Sequence, residues 1–240
     1  MTFRPTLWPT LISLPTIALL LGLGFWQIEK MYWKTELIGE LQTRSGGPAI
    51  ALPLDDRISI DDLLYRKVTV SGRFLNAAEM HLLNRVRGGI PGIHLITPLV
   101  RADGGGTILV DRGWVPLDWQ GSPVDAEAVV TVTGIVRVPE VPGWLAGMLT
   151  PENQPRDNEW FSIDLAAMAG NAGVLPFTDY YVLATGEAPP PAPPYPAANV
   201  WVVDLPNNHL SYAITWFSLA AALLAIYLIY HSKARHRDDD

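Results

Sequence analysis

The chain contains no cysteine among its 240 residues. That single absence removes disulfide bonds, thiolate nucleophiles, cysteine-ligated zinc and cysteine-based copper transfer. Charge is scarce as well: Asp, Glu, Lys and Arg make up 17% of the residues against an apolar share of 49%, a balance unusual for a soluble globular domain. The net charge is −7 and no basic stripe is present, so nucleic acid is not an expected partner. Also missing are a phosphate-binding glycine loop, a nucleophile elbow, an HExxH pair and any recognisable triad order. With the acidic residues dispersed along the chain, the sequence does not read as an enzyme.

The shortage of charge is concentrated at the two ends. Pro5 to Ile28 holds no charged residue over 24 positions, and Leu210 to Tyr230 none over 21. At about 1.5 Å per residue, either run crosses a hydrocarbon core roughly 30 Å thick. The pattern predicts a transmembrane helix over residues 6–28 that continues as helix to about 43, and a second over 209–230. Gly22 and Gly24 have the spacing a signal peptidase reads, but the run is longer than a typical signal core and only Arg4 precedes it, which favours retention. His231, Lys233, Arg235, His236 and Arg237 follow the second run, in the tail 231–240, whereas residues 29–209 carry 13 Lys plus Arg and 21 Asp plus Glu. Basic flanks mark the cytoplasmic side. Both termini are therefore expected in the cytoplasm of a bacterial-type inner (plasma) membrane, with the central domain periplasmic and lipid as a partner.

Residues 48–187 read as one outer domain. Lys67 to Phe74 alternates like a strand, and further strands are predicted over Met80–Asn84, His94–Val100, Thr107–Arg112, Val129–Val138, Trp160–Ile163 and Tyr180–Ala184. Gly104-Gly105-Gly106 suits a hairpin loop. Ser59 resembles a helix cap, and one short helix is expected from Asp164 to Gly170 as its stop. The expected fold class is a membrane protein in which two transmembrane α-helices flank one mostly-β antiparallel barrel or sandwich with a short helix. Ala188 to Pro196 holds six prolines in nine positions, so residues 188–208 read as an extended return arm.

Chemistry is thinly spread. Asn207-Asn208 supplies a helix cap that puts His209 in the first turn of the second run, where the positive end of the helix dipole favours a neutral, ligating imidazole. Tyr212 and Trp216 lie on the same helical face, at i+3 and i+7. On the first run Trp26, Lys30 and Trp33 are spaced i, i+4, i+7, beside Gln27 and Lys34. That face suits a planar ligand with anionic edges. The same residues equally suit an aromatic belt with snorkelling lysines and an interfacial histidine. In the domain, Arg112 follows a strand in Val110-Asp111-Arg112-Gly113-Trp114-Val115-Pro116, and either pairs with an acid or meets an anionic group. His81 and His94 read as ordinary strand residues.

Taken together these segments resemble the Surfeit locus protein 1 family. The resemblance spans nearly the whole chain and rests on Gly24-Phe25-Trp26-Gln27-Ile28-Glu29-Lys30 with Trp33-Lys34, Tyr65-Arg66 before Val68-Thr69-Val70-Ser71-Gly72, and Gly92 before Thr97-Pro98-Leu99. It continues through Leu109 to Pro116, Trp160 to Leu165, and Asn207-Asn208-His209-Leu210-Ser211-Tyr212-Ala213-Ile214-Thr215-Trp216-Phe217. The sequence departs from the family pattern at Lys30, Asp111 and the proline-rich stretch. The resemblance implies a non-enzymatic assembly factor of a haem-copper oxidase that binds haem a and assists its insertion into the catalytic subunit. A haem a synthesis enzyme is a further possible partner. His209 would be the iron ligand, with Trp26, Trp33, Tyr212 and Trp216 against the porphyrin and Lys30, Lys34 and Arg112 toward its propionates. The rival is a structural factor that stabilises an oxidase intermediate without carrying haem.

Overall fold

The computed structural model describes residues 5–54, 58–121, 128–140, 143–174, 177–190, 195–203 and 205–233. The charged end of the tail and the prolines at 191, 193 and 194 lie outside the described residues. In chain order the helices are α1 (Leu7–Gly46), α2 (Ile60–Leu63), α3 (Trp144–Leu149), α4 (Leu165–Ala172) and α5 (His209–Lys233). The strands are β1 (Ile50–Ala51), β2 (Lys67–Phe74), β3 (Met80–Arg87), β4 (Ile90–Arg101), β5 (Thr107–Pro116), β6 (Val130–Arg137), β7 (Glu159–Trp160) and β8 (Phe177–Ala188). The chain divides into two compact units, Met1–Leu41 with Val203–Asp240, and Gln42–Val202.

In the first unit, α1 and α5 are both long and apolar enough to cross a membrane. Helix α1 outlasts the expected end near residue 43 and stops at Gly46, just before the Gly47-Pro48 pair that cannot extend it. Its half-buried and buried positions recur at Thr10, Ser13, Ile17, Leu20, Gly24, Gln27, Met31 and Lys34, a helical stripe of alternating threes and fours. Helix α5 answers with His209, Ala213, Trp216, Ala220, Leu223, Tyr227 and His231. Small residues let the two backbones approach: Ala213 and Ala220 are buried, and a Cβ on Gly24 would sit 2.6 Å from the Phe217 ring.

The second unit is one sheet in the order β1-β2-β6-β8-β5-β4-β3-β7, with an added pairing of β2 to β4. That pairing, from Gly72↔Arg101 to Phe74↔Leu99, closes a circuit through β2, β6, β8, β5 and β4. All five strands feed one apolar cluster that includes Val68, Val70, Phe74, Leu99, Ile108, Val110, Val132, Val136 and Val182. A second cluster joins Met80, Leu82, Ile96, Leu109 and Tyr181 to Trp160 of β7 and to Leu165 and Met168 of α4. Strand β5 is thus covered on both faces, and so its side chains are buried continuously from Ile108 to Val115, unlike the alternation of β2.

Three expectations are corrected. The sheet is not purely antiparallel: β1–β2, β3–β7 and β5–β8 are parallel. The long connection from β5 to β8, which contains β6, α3, β7 and α4, supplies the crossover that parallel pairing requires. Helix α4 begins where expected, with Asp164 accepting from Ala167 N, but runs past Gly170 to Gly173, whose φ of 65° makes the left-handed stop. The described end of the return arm is no free spacer. Ala197 exchanges two backbone hydrogen bonds with Trp114, and Asn199 N donates to Ala184 O. Trp201 stacks on Tyr65 at 5.6 Å, with the Arg137 guanidinium 4.7 Å from the same indole. Ala197, Ala198 and Asn199 provide the amides and carbonyls that fasten this strap.

Candidate functional site

Polar contacts tie α1 to α5 at two levels. At one, Asn207 Nδ2 donates to Met31 O at 3.2 Å and to Thr35 Oγ1 at 3.1 Å, so this side chain spans the helices instead of capping α5. His209, two residues on, approaches Gln27 through its Nδ1, 2.7 Å from Gln27 Oε1. An amide oxygen only accepts, so Nδ1 carries the hydrogen of this contact, and in the neutral ring Nε2 keeps the lone pair. Among the described residues Nε2 has no hydrogen-bond partner. At the other level Thr10 Oγ1 lies 2.9 Å from the Tyr227 hydroxyl. There His231 Nδ1 donates to Tyr227 O at 2.8 Å and Nε2 meets Thr6 Oγ1 at 3.1 Å.

The contrast between the two histidines is chemical. His231 spends both ring nitrogens inside the helix pair and is 3% exposed, so it has no atom to offer a ligand. His209 is half-buried, oriented by its neighbour and open at one nitrogen. An imidazole that donates its second N–H to an oxygen acceptor is the usual state of a metal-ligating histidine. His236 lies outside the described residues, and His81 is a strand residue whose pKa burial pushes down.

Around His209 the other expected residues fall into two groups. Trp26 and Trp33 are exposed on α1, at 48% and 58%, as is Tyr212 on α5 at 57%. Lys30 Nζ stands 5.2 Å from the Trp33 ring centroid, so the ammonium meets one of its two expected indoles. Lys34 lies half-buried on the same stripe as Gln27 and Met31. Trp216 is half-buried as well, and its indole N–H is a buried donor without a partner among the described residues.

Arg112 is engaged elsewhere. Its side chain, wholly buried in the second unit, makes a bidentate pair with Glu187, Nε to Oε1 at 2.9 Å and Nη2 to Oε2 at 2.7 Å. The guanidinium also lies 4.0 Å from the Phe74 ring centroid. Nearby, burial holds the Glu79 carboxyl above its usual range, partly offset by Arg112 and by the hydroxyl of Thr97. The expected role of Arg112 toward a propionate gives way to the acid-pairing alternative, because the guanidinium is buried against Glu187. Gln27, by contrast, stood in the motif without a role. Its part in orienting His209 depends on how α5 is rotated against α1, which no spacing within either helix reveals.

A model of the SURF1 family matches residues 14–221. The chain is 34% identical to a SURF1-like protein of Monosiga brevicollis, across 95% of this chain and 88% of that protein. It is 33% identical to Surfeit locus protein 1 of Homo sapiens, across 88% of this chain and 73% of that one. A SURF1-like protein of Rickettsia felis is 30% identical, across 92% and 95%.

Proposed function

The chain belongs to the SURF1 family, and we propose that it is an assembly factor of a haem-copper oxidase that binds haem a and assists its insertion into the catalytic subunit. The observation that carries this reading is the Gln27–His209 contact, which fixes the tautomer and leaves Nε2 free to ligate. The surrounding residues fit such a cargo. Trp26, Trp33, Tyr212 and Trp216 offer aromatic faces, the unpartnered Trp216 N–H offers a donor, and Lys30 and Lys34 offer cations for carboxylate side groups. Haem a would contribute an iron that His209 would hold through its imidazole. One replaceable nitrogen ligand suits a carrier, since a cargo that is handed on must also leave.

In this reading α1 and α5 span a bacterial-type inner membrane with both termini in the cytoplasm and the β domain on the periplasmic side. The acidic excess of residues 29–209 supports that orientation, and the five-strand circuit supports a closed barrel over a sandwich. A haem a synthesis enzyme is the natural donor and the oxidase catalytic subunit the acceptor.

The test is to co-express the full chain with haem a synthesis enzymes, purify it, and compare its optical spectrum and haem stoichiometry with those of His209→Ala. Wild type is expected to carry haem a and the variant to lose it. A variant with the full spectrum would remove His209 as ligand. Wild type free of haem yet still co-purifying with the oxidase would replace the carrier by a structural assembly factor.

A further inference from the structure

The β domain holds a second histidine with one ring nitrogen fixed and the other open, in a cavity that the haem reading does not use. Strands β4 and β5 slip register between Leu95 and Ile96: Leu95 pairs with Gly113 and Ile96 with Asp111, so Arg112 is the extra residue of a bulge. Bulges re-aim side chains, and here Arg112 turns to Glu187 while Asp111 turns to His94. Gly113 has φ +123°, and a Cβ there would lie 2.3 Å from Ala197 O, so the turn beneath the strap calls for glycine.

The hydrogen-bond directions around Asp111 decide what His94 can offer. Asp111 is 3% exposed; Gly113 N donates to its Oδ1 at 3.0 Å and Asn199 Nδ2 to the same oxygen at 3.2 Å. A carboxylate held by donors only accepts, so His94 Nδ1, 2.9 Å from Oδ2, carries the hydrogen of that contact. In the neutral ring Nε2 then keeps its lone pair and asks for a donor. Nε2 has no hydrogen-bond partner among the described residues, and the His94 side chain is 20% exposed, so a ligand can reach it.

His94 and Asp111 line a cavity of about 560 Å³, a size typical of small-molecule sites. Tyr181, on the same lining, is 8% exposed and its hydroxyl makes no hydrogen bond among the described residues. Burial pushes that hydroxyl up to about 12, so it stays protonated and able to donate. Ser162 does not meet the need of His94, since its Oγ accepts from Asn153 Nδ2 at 3.3 Å. Leu82, Phe161 and Ile163 supply apolar wall. Charge of both signs surrounds the space: Arg85 lines it beside the carboxylates of Asp111 and Glu140. An anion therefore meets two carboxylates and a cation meets a guanidinium, whereas a neutral molecule meets no like charge.

We propose that this cavity binds a small neutral alcohol with an apolar body. Its hydroxyl donates to His94 Nε2 and accepts from the Tyr181 hydroxyl, and its body lies against Leu82, Phe161 and Ile163. Asp111 is a positioning residue that sets the His94 tautomer without touching the ligand.

The full chain in lipid nanodiscs, in buffer of about pH 8 where an ordinary imidazole is neutral, is titrated with para-fluorobenzyl alcohol and followed by fluorine NMR, with empty nanodiscs as baseline. The methyl ether of that alcohol, para-fluorobenzoate and para-fluorobenzylammonium are titrated in the same way. The alcohol is expected to bind saturably and each of the others at least about fivefold more weakly, because the ether cannot donate to Nε2 and each ion meets a like charge. In Asp111→Asn the side-chain oxygen stays with Gly113 N and Asn199, so the new amide N–H faces His94 Nδ1 and the ring hydrogen moves to Nε2. The preference for alcohol over ether should then disappear. Tyr181→Phe should weaken alcohol and ether alike by about fivefold and leave their ratio unchanged. Melting curves report the folding of both variants; should Asp111→Asn not fold, Tyr181→Phe and the wild-type ratio decide. The proposal is overturned by alcohol and ether binding alike to wild type, by an ion binding as tightly as the alcohol, or by no saturable binding above empty nanodiscs. A ratio unchanged in folded Asp111→Asn, or alcohol binding untouched in folded Tyr181→Phe, overturns it equally.

Discussion

Replacing Gln27 by Leu tests the central claim more sharply than replacing the ligand itself. The substitution leaves His209 in place and removes only the oxygen 2.7 Å from its Nδ1. Two effects compete. Interhelical hydrogen bonds between apolar helices average about 0.6 kcal/mol, and the helix pair keeps its contacts through Asn207, Tyr227 and His231, so association should survive. Loss of an orienting partner typically lowers affinity at a ligating histidine by about 10–100-fold, or roughly 1.4–2.7 kcal/mol. The ligand effect is therefore the larger. Purified wild type, Gln27→Leu, Gln27→Glu and His209→Ala would be titrated with haem in nanodiscs and followed at the Soret band. Gln27→Leu should fall between wild type and His209→Ala, while Gln27→Glu, which restores an acceptor, should recover most of the affinity. Wild-type affinity in Gln27→Leu, or equal losses in the Leu and Glu variants, would refute the orienting role.

Two further expectations concern the β domain. Glu187→Ala strands the Arg112 guanidinium, whose side chain is 0% exposed, and removing one partner of a buried pair costs about 3–5 kcal/mol. At about 2–4 °C per kcal/mol for a domain of this size, the melting temperature should drop by roughly 6–20 °C, and an unchanged melt would contradict the burial of the pair. Glu79 titrates above its ordinary value of 4.5 because it is buried. Its contribution to stability is therefore present below that value and lost as pH rises through the folded pKa. Glu79→Gln should thus melt higher than wild type near neutral pH, with the gain shrinking as pH falls toward 4.5; a gain that grows on acidification would reverse the assignment.

How far the fold could be read varied with how local its causes are. Strand β2 matches its expected bounds because Val68, Val70 and Phe74 alternate with polar residues and face one core. Strand β8 runs past its expected end at Ala184, since Thr185, Gly186 and Glu187 look like an exposed end in sequence whereas Glu187 is buried against Arg112. Strand β7 ends short of the expected Ile163, because the N–H groups of Phe161 and Ser162 go to Asn153 Oδ1 instead of to a neighbouring strand. Helix α3 has neither cap nor period to announce it. At the candidate site, His209 was legible from its motif and its place in the first turn. Gln27 and the His94–Asp111 pair were not, because each arises from residues that only packing or a bulge brings together.

The contacts at the far end of the helix pair have a consequence for His209. Thr10 lies 17 residues before Gln27, about 26 Å along α1 at the rise of an α-helix. With hydrogen bonds at both levels, sliding one helix past the other by a turn, about 5.4 Å, would break the Thr10–Tyr227 contact and the Gln27–His209 contact in the same movement. The pair therefore behaves as a ruler with two fixed marks. Threonine, tyrosine and histidine side chains near one end set the height at which the imidazole stands at the other.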